Sequence, residues 1–279
     1  SEMCIRDSNK NKVLELAENQ SSLLSAAKFD QNYNSQYSYI AKVGYPMGMM
    51  YGFIYEGTYK YEDFDKVGDT YTLKRNVPYF SSESNTQPGM PKYADLNGDG
   101  IIDDNDRTMI GNGMPKHTGG FTNNFEYKGF DLSIFFQWSY GNDVLNANRL
   151  FFENSNKTRD LNQYASYADR WTPENPESNI PRATDSGSNK VFSTRIIEDG
   201  SFLRLKTVSL GYTLPKQLTK KWKIDNARVF VAGQNLWTCT GYSGYDPEVS
   251  IREGALTPGL DFSAYPRAYS ISFGINLGF

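Results

Sequence analysis

The residues with the clearest chemical spacing lie between Asp95 and Asp106. Asp95, Asn97, Asp99, Asp103 and Asp106 stand at positions 1, 3, 5, 9 and 12 of a twelve-residue loop. Calcium takes six to eight hard oxygen ligands, and such a loop supplies them from these positions plus the backbone carbonyl at position 7, here that of Ile101. Gly100 falls at position 6, where the chain must turn sharply. Asp106 is shorter than the usual Glu at position 12. The sequence has no second copy of the loop, and its flanks carry Pro88, Pro91 and Gly111–Pro115 in place of amphipathic helices. The expectation is therefore a structural Ca2+ site that pins a long loop, not a sensor that opens a groove. The competing reading is an acidic Gly-Asn turn that needs no metal.

Other chemistry-bearing residues are less organised. Two carboxylates could serve glycoside hydrolysis, and Glu198, Asp199, Asp246 and Glu248 supply several. Asp246-Pro247-Glu248 reads more plainly as a loop turn with solvated acids, and no nucleophile–base set accompanies it, so no enzyme is expected. His117 is the only histidine, which argues against His-based catalysis and multi-His metal binding. Cys4 and Cys239 lie in unlike surroundings and suggest neither a disulfide framework nor a zinc site. Trp171, Trp222, Trp237 and the pair Tyr242 and Tyr245 could stack on sugar faces. That supports an alternative reading, a soluble calcium-stabilised β-sheet glycan-binding module. For Trp171 and Trp222 the plainer roles are loop packing and interface anchoring.

The elements that would hold these residues are β-strands. The 279 residues carry 29 Lys+Arg against 32 Asp+Glu, with a mean hydropathy of −0.61. The longest charge-free stretch, Val229 to Tyr245, is 17 residues, short of the roughly 20 apolar residues of a membrane helix. The near-neutral charge without a basic cluster speaks against nucleic acid as a partner. Aromatics make up 15% of the chain, beside 24 Gly, a composition that suits β architectures whose faces meet different solvents.

Alternation is unbroken from Tyr269 through Ile271, Phe273, Ile275 and Leu277 to Phe279, with Ser, Gly and Asn between. It recurs over Phe130–Tyr140 and Val208–Leu214. Such lengths match the nine to eleven residues that cross a bilayer at a tilt. Strands are expected near 36–43, 47–59, 119–127, 129–141, 202–214, 227–239 and 269–279, with a weak eighth within Leu23–Tyr33. The links alternate between short (44–46, 128, 215–226) and long (60–118, 142–201, 240–268). Structureless links beyond about 12–15 residues are uncommon in compact soluble domains. An outer-membrane barrel, in contrast, alternates short periplasmic turns with long external loops. The fold class expected is all-β, an antiparallel transmembrane β-barrel segment with long extracellular loops.

Residues 1–8 match nothing downstream in style and resemble translated sequencing adapter. They are read as a non-native leader, with 9–279 as the barrel part, and the non-Met start and odd strand count as signs of truncation.

Longer motifs carry a family resemblance. Lys92–Asp103, Ile110–Lys116, Gly119–Asn124 and Tyr127–Gln137 resemble the C-terminal part of the SusC/RagA family, TonB-dependent outer-membrane transporters of Bacteroidota. Leu203–Pro215, Gln234–Trp237 and Gly241–Val249 resemble its next segments in the same order. The ending Phe273-Gly-Ile-Asn-Leu-Gly-Phe279 is similar to the terminal signal read by barrel-assembly machinery, which can capture an exposed strand by edge pairing. The resemblance implies a 22-stranded barrel in the cell outer membrane, taking up glycan or peptide nutrients. It implies as partners a SusD-like lipoprotein lid, the TonB complex through an N-terminal part, and outer-membrane lipid. Plug and TonB-contacting segment are not found in these residues. With a periplasmic C-terminus, the long links face the environment.

Overall fold

Alternation draws the long strands into one antiparallel wall. In the computed structural model, which describes residues 3–17, 19–31, 33–155, 162–184, 191–251 and 254–279, six strands pair in order. They are β1 (Met3–Ser8), β2 (His117–Tyr127), β3 (Phe130–Tyr140), β4 (Phe202–Thr213), β5 (Asn226–Thr240) and β6 (Ser270–Gly278). Each pairs antiparallel with the next. The tightest connection is Lys128-Gly129, with φ of 47° and 88°, joining the paired residues Tyr127 and Phe130. Two consecutive left-handed residues make a type I′ turn, whose twist matches that of the strands. A Cβ on Gly129 would sit 2.8 Å from the Thr213 carbonyl oxygen, so only glycine fits.

Register sorts the side chains into two unlike faces. On one, Phe125 pairs with Leu132, Ile134 with Val208, Leu210 with Val231, and Val231 with Phe273. On the other, Asn124 pairs with Ser133, Ser133 with Ser209, Ser209 with Ala232, and Ala232 with Ser272. A bulge at Lys206 absorbs the register shift between Leu205 and Thr207, so the apolar set stays on one side. In a soluble sandwich that set would be buried against a second sheet. Here Phe130 is 51%, Ile271 57% and Phe279 84% exposed, with Trp138 half-buried, so among the described residues no second sheet covers them. β3 is 11 residues long, which at the tilt of barrel strands spans roughly 25 Å of height, the thickness of a lipid-facing band. Aromatics gather at both ends of that face: Tyr127, Phe130 and Tyr212 at one, Trp138, Tyr140 and Trp237 at the other. The wall is a transmembrane barrel segment. No described helix is long and apolar enough to cross a membrane.

All the long links leave the same end of the wall. The links 9–116, 141–201 and 241–269 follow Ser8, Tyr140 and Thr240, while 128–129 and 214–225 turn at the opposite end. The long links fold together into the molecule's packed core. Ala27, Tyr33, Tyr39 and Met50 from the first, Leu145, Ala147, Leu150, Phe192 and Ile196 from the second, and Leu260 from the third form one buried cluster. Two of the expected wall strands belong here. Tyr37–Lys42 and Met49–Gly52 form a four-stranded sheet with Ser22–Ala26 and Thr108–Asn112. The region 47–59 is broken in two, its second half, Tyr55–Thr58, pairing with Pro91–Tyr93. The weak segment within 23–33 thus supplies a strand, but to this sheet. Residues 3–8, left out of the strand reading, pair through their backbone with His117–Thr122.

Candidate functional site

The second and third links are tied by a small sheet. Asp143–Asn146 pairs antiparallel with Ile197–Asp199 and parallel with Leu260–Asp261. The helix Asn148–Phe152 follows, and beside it opens a cleft of about 910 Å³, lined by Arg149, Tyr164, Glu198, Tyr245 and Asp261 among others. Its charged groups are already engaged by neighbours. Glu153, nearly buried, takes Arg195 at 2.8 Å and Arg149 at 3.0 Å on one carboxylate oxygen, and the Ser166 hydroxyl at 2.7 Å on the other. Glu198 accepts from the Asn146 amide and from the Ser243 N–H, both at 2.9 Å. Tyr242 donates to Asp261 at 2.5 Å; burial first, then this carboxylate, raises the phenol's pKa. Hydroxyls, amides and aromatic edges are left facing the space, with Tyr245 86% exposed at its rim. Such a surface is suited to hydrogen bonding and stacking.

A second cluster fastens the third link to the wall. Arg204, on the polar face of β4 and almost wholly buried, donates to Asp246 at 2.6 Å and Glu248 at 3.1 Å, and Arg267 reaches Glu248 at 2.8 Å. Asp246 and Glu248, two of the four carboxylates considered for hydrolysis, are thus engaged in ion pairs. Removing either partner of such a buried pair strands a charge.

The loop 95–106 is closed by its own backbone. Asp95 accepts from the N–H groups of Gly98 and Gly100 at 2.7 and 2.8 Å, Asn97 from Asp99 at 2.9 Å, and Asp99 from Ile101 at 2.8 Å. Gly98 and Gly100 have left-handed φ of 77° and 85°. Asp103 caps the short 3₁₀ turn Asp104–Asp106. Asp106 is fully buried, one oxygen taking Leu96 and Asn97 N–H and the other Asp103 N–H. The donor set is all oxygen and suits a hard cation, with spare lone pairs on Asp95, Asn97 and Asp99. Asp106 is satisfied without one, and among the described residues no three acidic or other ligating side chains converge.

The remaining residues singled out in the sequence are scattered. Trp171 is buried against Gly89 and Tyr61, with the Arg182 guanidinium over its ring. Trp237 lies on the apolar face of the wall and Trp222 in the opposite turn, so of the five aromatics only Tyr245 lines the cleft. His117 accepts a hydrogen bond from Trp138 Nε1 at 3.1 Å and stacks on Tyr140, a structural role. Cys239 is a free thiol on the apolar face. Sequence reasoning passed over Glu153, Arg149, Arg195 and Arg204. An i,i+4 spacing of Arg149 and Glu153 was visible, but nothing local marked their partners 42 residues or more away.

No family model matches the chain. A TonB-dependent receptor, P3, of Formosa agariphila is 33% identical over 97% of this chain and 26% of its own length. A second from that organism, P26, is 39% identical over 68% of the chain and 20% of its own length. The TonB-dependent receptor SusC of Bacteroides thetaiotaomicron is 28% identical over 71% of the chain and 18% of its own length. Among solved structures, that of the RagAB peptide transporter superposes over the whole chain with a TM-score of 0.76, at 24% identity and over 26% of that chain. The chain thus spans about a quarter, or less, of the relatives it matches.

Proposed function

We propose, from the premise that this chain belongs to the SusC/RagA type of TonB-dependent transporters, that it serves nutrient uptake through the bacterial outer membrane. It forms the C-terminal strands of a 22-stranded barrel there. Its apolar face lies in lipid, its polar face lines the lumen, and the packed links stand outside the cell. The observation that carries this is the pairing of a continuous exposed apolar face with a polar one, with every long link at a single end. The cargo is a glycan or a peptide, met by the cleft between the second and third links. A SusD-like lipoprotein closes over these links, and the TonB complex drives release through parts of the protein outside the matched quarter. None of these roles asks for catalysis.

The loop 95–106 holds a structural Ca2+ in this reading. Asp95, Asn97, Asp99 and Asp103 with the Ile101 carbonyl provide the oxygens, and Asp106 closes the loop behind them. The ion supplies charge neutralisation and a fixed loop shape, nothing more. Terbium luminescence on the purified protein, displaced by Ca2+ and lost in Asp99→Asn, is the expected result; no metal response at any concentration removes the ion from the account.

For the whole proposal, the complete gene expressed in a Bacteroidota host gives the test. The protein is expected in the outer-membrane fraction, heat-modifiable on gels, and co-purifying with a lipoprotein. Recovery as a soluble periplasmic protein overturns it.

A further inference from the structure

The turn between β4 and β5 is unlike the rest of the wall. Residues 214–225 contain Lys216, Lys220, Lys221 and Lys223 against a single acid, Asp225, and all four lysines are exposed. None of the four is in an ion pair among the described residues. Lys216–Thr219 is a helical turn that continues as a 3₁₀ turn through Trp222. Leu218 and Trp222, one turn apart on one side of it, are 48% and 64% exposed. Thr219 faces inward and is buried.

The helical turn lies against β5. Ala227 points to the apolar face, in register with Leu277, yet is buried, whereas Val229 and Leu277 beside it are open. The buried Ala227 thus marks the end of the wall at which the helical turn packs on β5. The neighbouring turn adds to the same rim: Thr213 N–H donates to the Gly129 carbonyl at 2.7 Å, and Lys128 Nζ sits 5.1 Å over the ring of Tyr127, an outward-facing residue. Phe130 and Tyr212 complete the aromatic border, 4.5 Å apart.

We propose that this rim, Lys128 with residues 214–225, is a binding surface for the anionic headgroups of glycerophospholipids. Trp222 and Leu218 enter the interfacial layer, where an amphipathic ring is most stable. The lysine stems follow the apolar surface while their ammonium groups reach phosphates, and each cation adds attraction that salt screens. The chemistry selects a charged headgroup over a zwitterionic one. It also fixes the depth of the wall, since five cations at one border resist being drawn into hydrocarbon. The inference rests on the membrane reading of the wall.

The test uses the full-length protein in nanodiscs with a single-tryptophan set: Trp222 alone, and Trp237 alone as control, the other tryptophans changed to Phe. Dibrominated phosphatidylglycerol and dibrominated phosphatidylcholine at equal mole fraction are the quenchers. Trp237 should be quenched equally by both. Trp222 should be quenched about twofold more by phosphatidylglycerol at low salt, the difference vanishing at high salt and in the Lys216→Gln, Lys220→Gln, Lys221→Gln, Lys223→Gln variant. Phosphatidylglycerol co-purifying with the otherwise unaltered protein should fall in that variant while phosphatidylethanolamine stays constant, a readout independent of the Trp replacements. Equal quenching of Trp222 by both lipids, with unchanged phosphatidylglycerol retention, overturns the proposal. A Trp222 untouched by lipid beside a quenched Trp237 overturns it too, and points to a periplasmic protein on this surface. An unquenched Trp237 brings down the membrane reading itself.

Discussion

The wall and the linked body above it are built on opposite rules. In the body, the largest apolar side chains are the most buried: Tyr39, Met50, Leu145 and Phe192 are at or near zero exposure. In the wall they are the most open, with Phe273 at 82%. Both regions have period-2 strands and similar aromatics, so residue type does not decide the environment. What decides it is connection. The body's strands are short and cross-tied by three links, so each finds a partner layer; the wall's strands are long and paired side by side, with the third link fastened to their polar face through Arg204, so the apolar face is left for lipid. The wall's interior-facing ion pair makes the same point. Arg228 and Asp131 meet across Gly211, where a Cβ would collide with both.

That contrast predicts how each region breaks. The largest loss is expected at Glu153. Glu153→Ala leaves Arg195 buried without its partner, at a cost of about 3–5 kcal/mol, and limited proteolysis should then cut the second link before any wall strand. Next is charge placed in the lipid band. Val231→Arg on the apolar face should cost about 2–4 kcal/mol in a lipid or detergent unfolding titration, whereas Ala232→Arg, one residue on and lumen-facing, should cost far less. If the two cost the same, the faces are not distinct. Gly129→Val, in the left-handed turn beside Thr213, should cost about 1–3 kcal/mol and slow wall assembly.

The smallest effect concerns Asp143, at the base of the body. Burial foremost, and Asp199 opposite it, raise its pKa, while the Asn112 N–H bond at 2.7 Å works against the shift. A carboxyl raised in the folded state ionises first in the unfolded chain. Stability therefore falls as pH rises through the carboxylate range, then levels once the folded group is ionised. Asp143→Asn should raise the body's stability slightly at neutral pH and leave it unchanged well below that range.

The wall was legible because its physics is local: Phe130–Tyr140 and Tyr269–Phe279 alternate residue by residue, and Lys128-Gly129 is a recognisable tight turn. The same pattern misplaced 36–43 and 47–59. Period 2 says that a strand has an apolar face, not whether lipid or protein covers it. Here Tyr39 and Met50 are covered by Leu145, Phe192 and Leu260, which no sequence spacing connects. The cleft escaped for the same reason, since Glu153, Glu198 and Tyr245 meet only through the small sheet joining two links. Asp246 and Glu248 were visible as acids, but Arg204, the residue that explains them, lies 42 positions before Asp246.

β6 offers the most direct test, because its alternation is unbroken from Ser270 to Gly278 and it pairs without a register shift. Nitroxide labels placed singly at each position from Ser270 to Gly278, in the complete transporter reconstituted in lipid, report access to oxygen and to a water-soluble nickel chelate. Ile271, Phe273, Ile275 and Leu277 should favour oxygen, and Ser270, Ser272, Gly274 and Asn276 the chelate, in strict alternation. Uniform access along the strand, or low access to both at the four apolar positions, would contradict a wall with lipid on one side and water on the other.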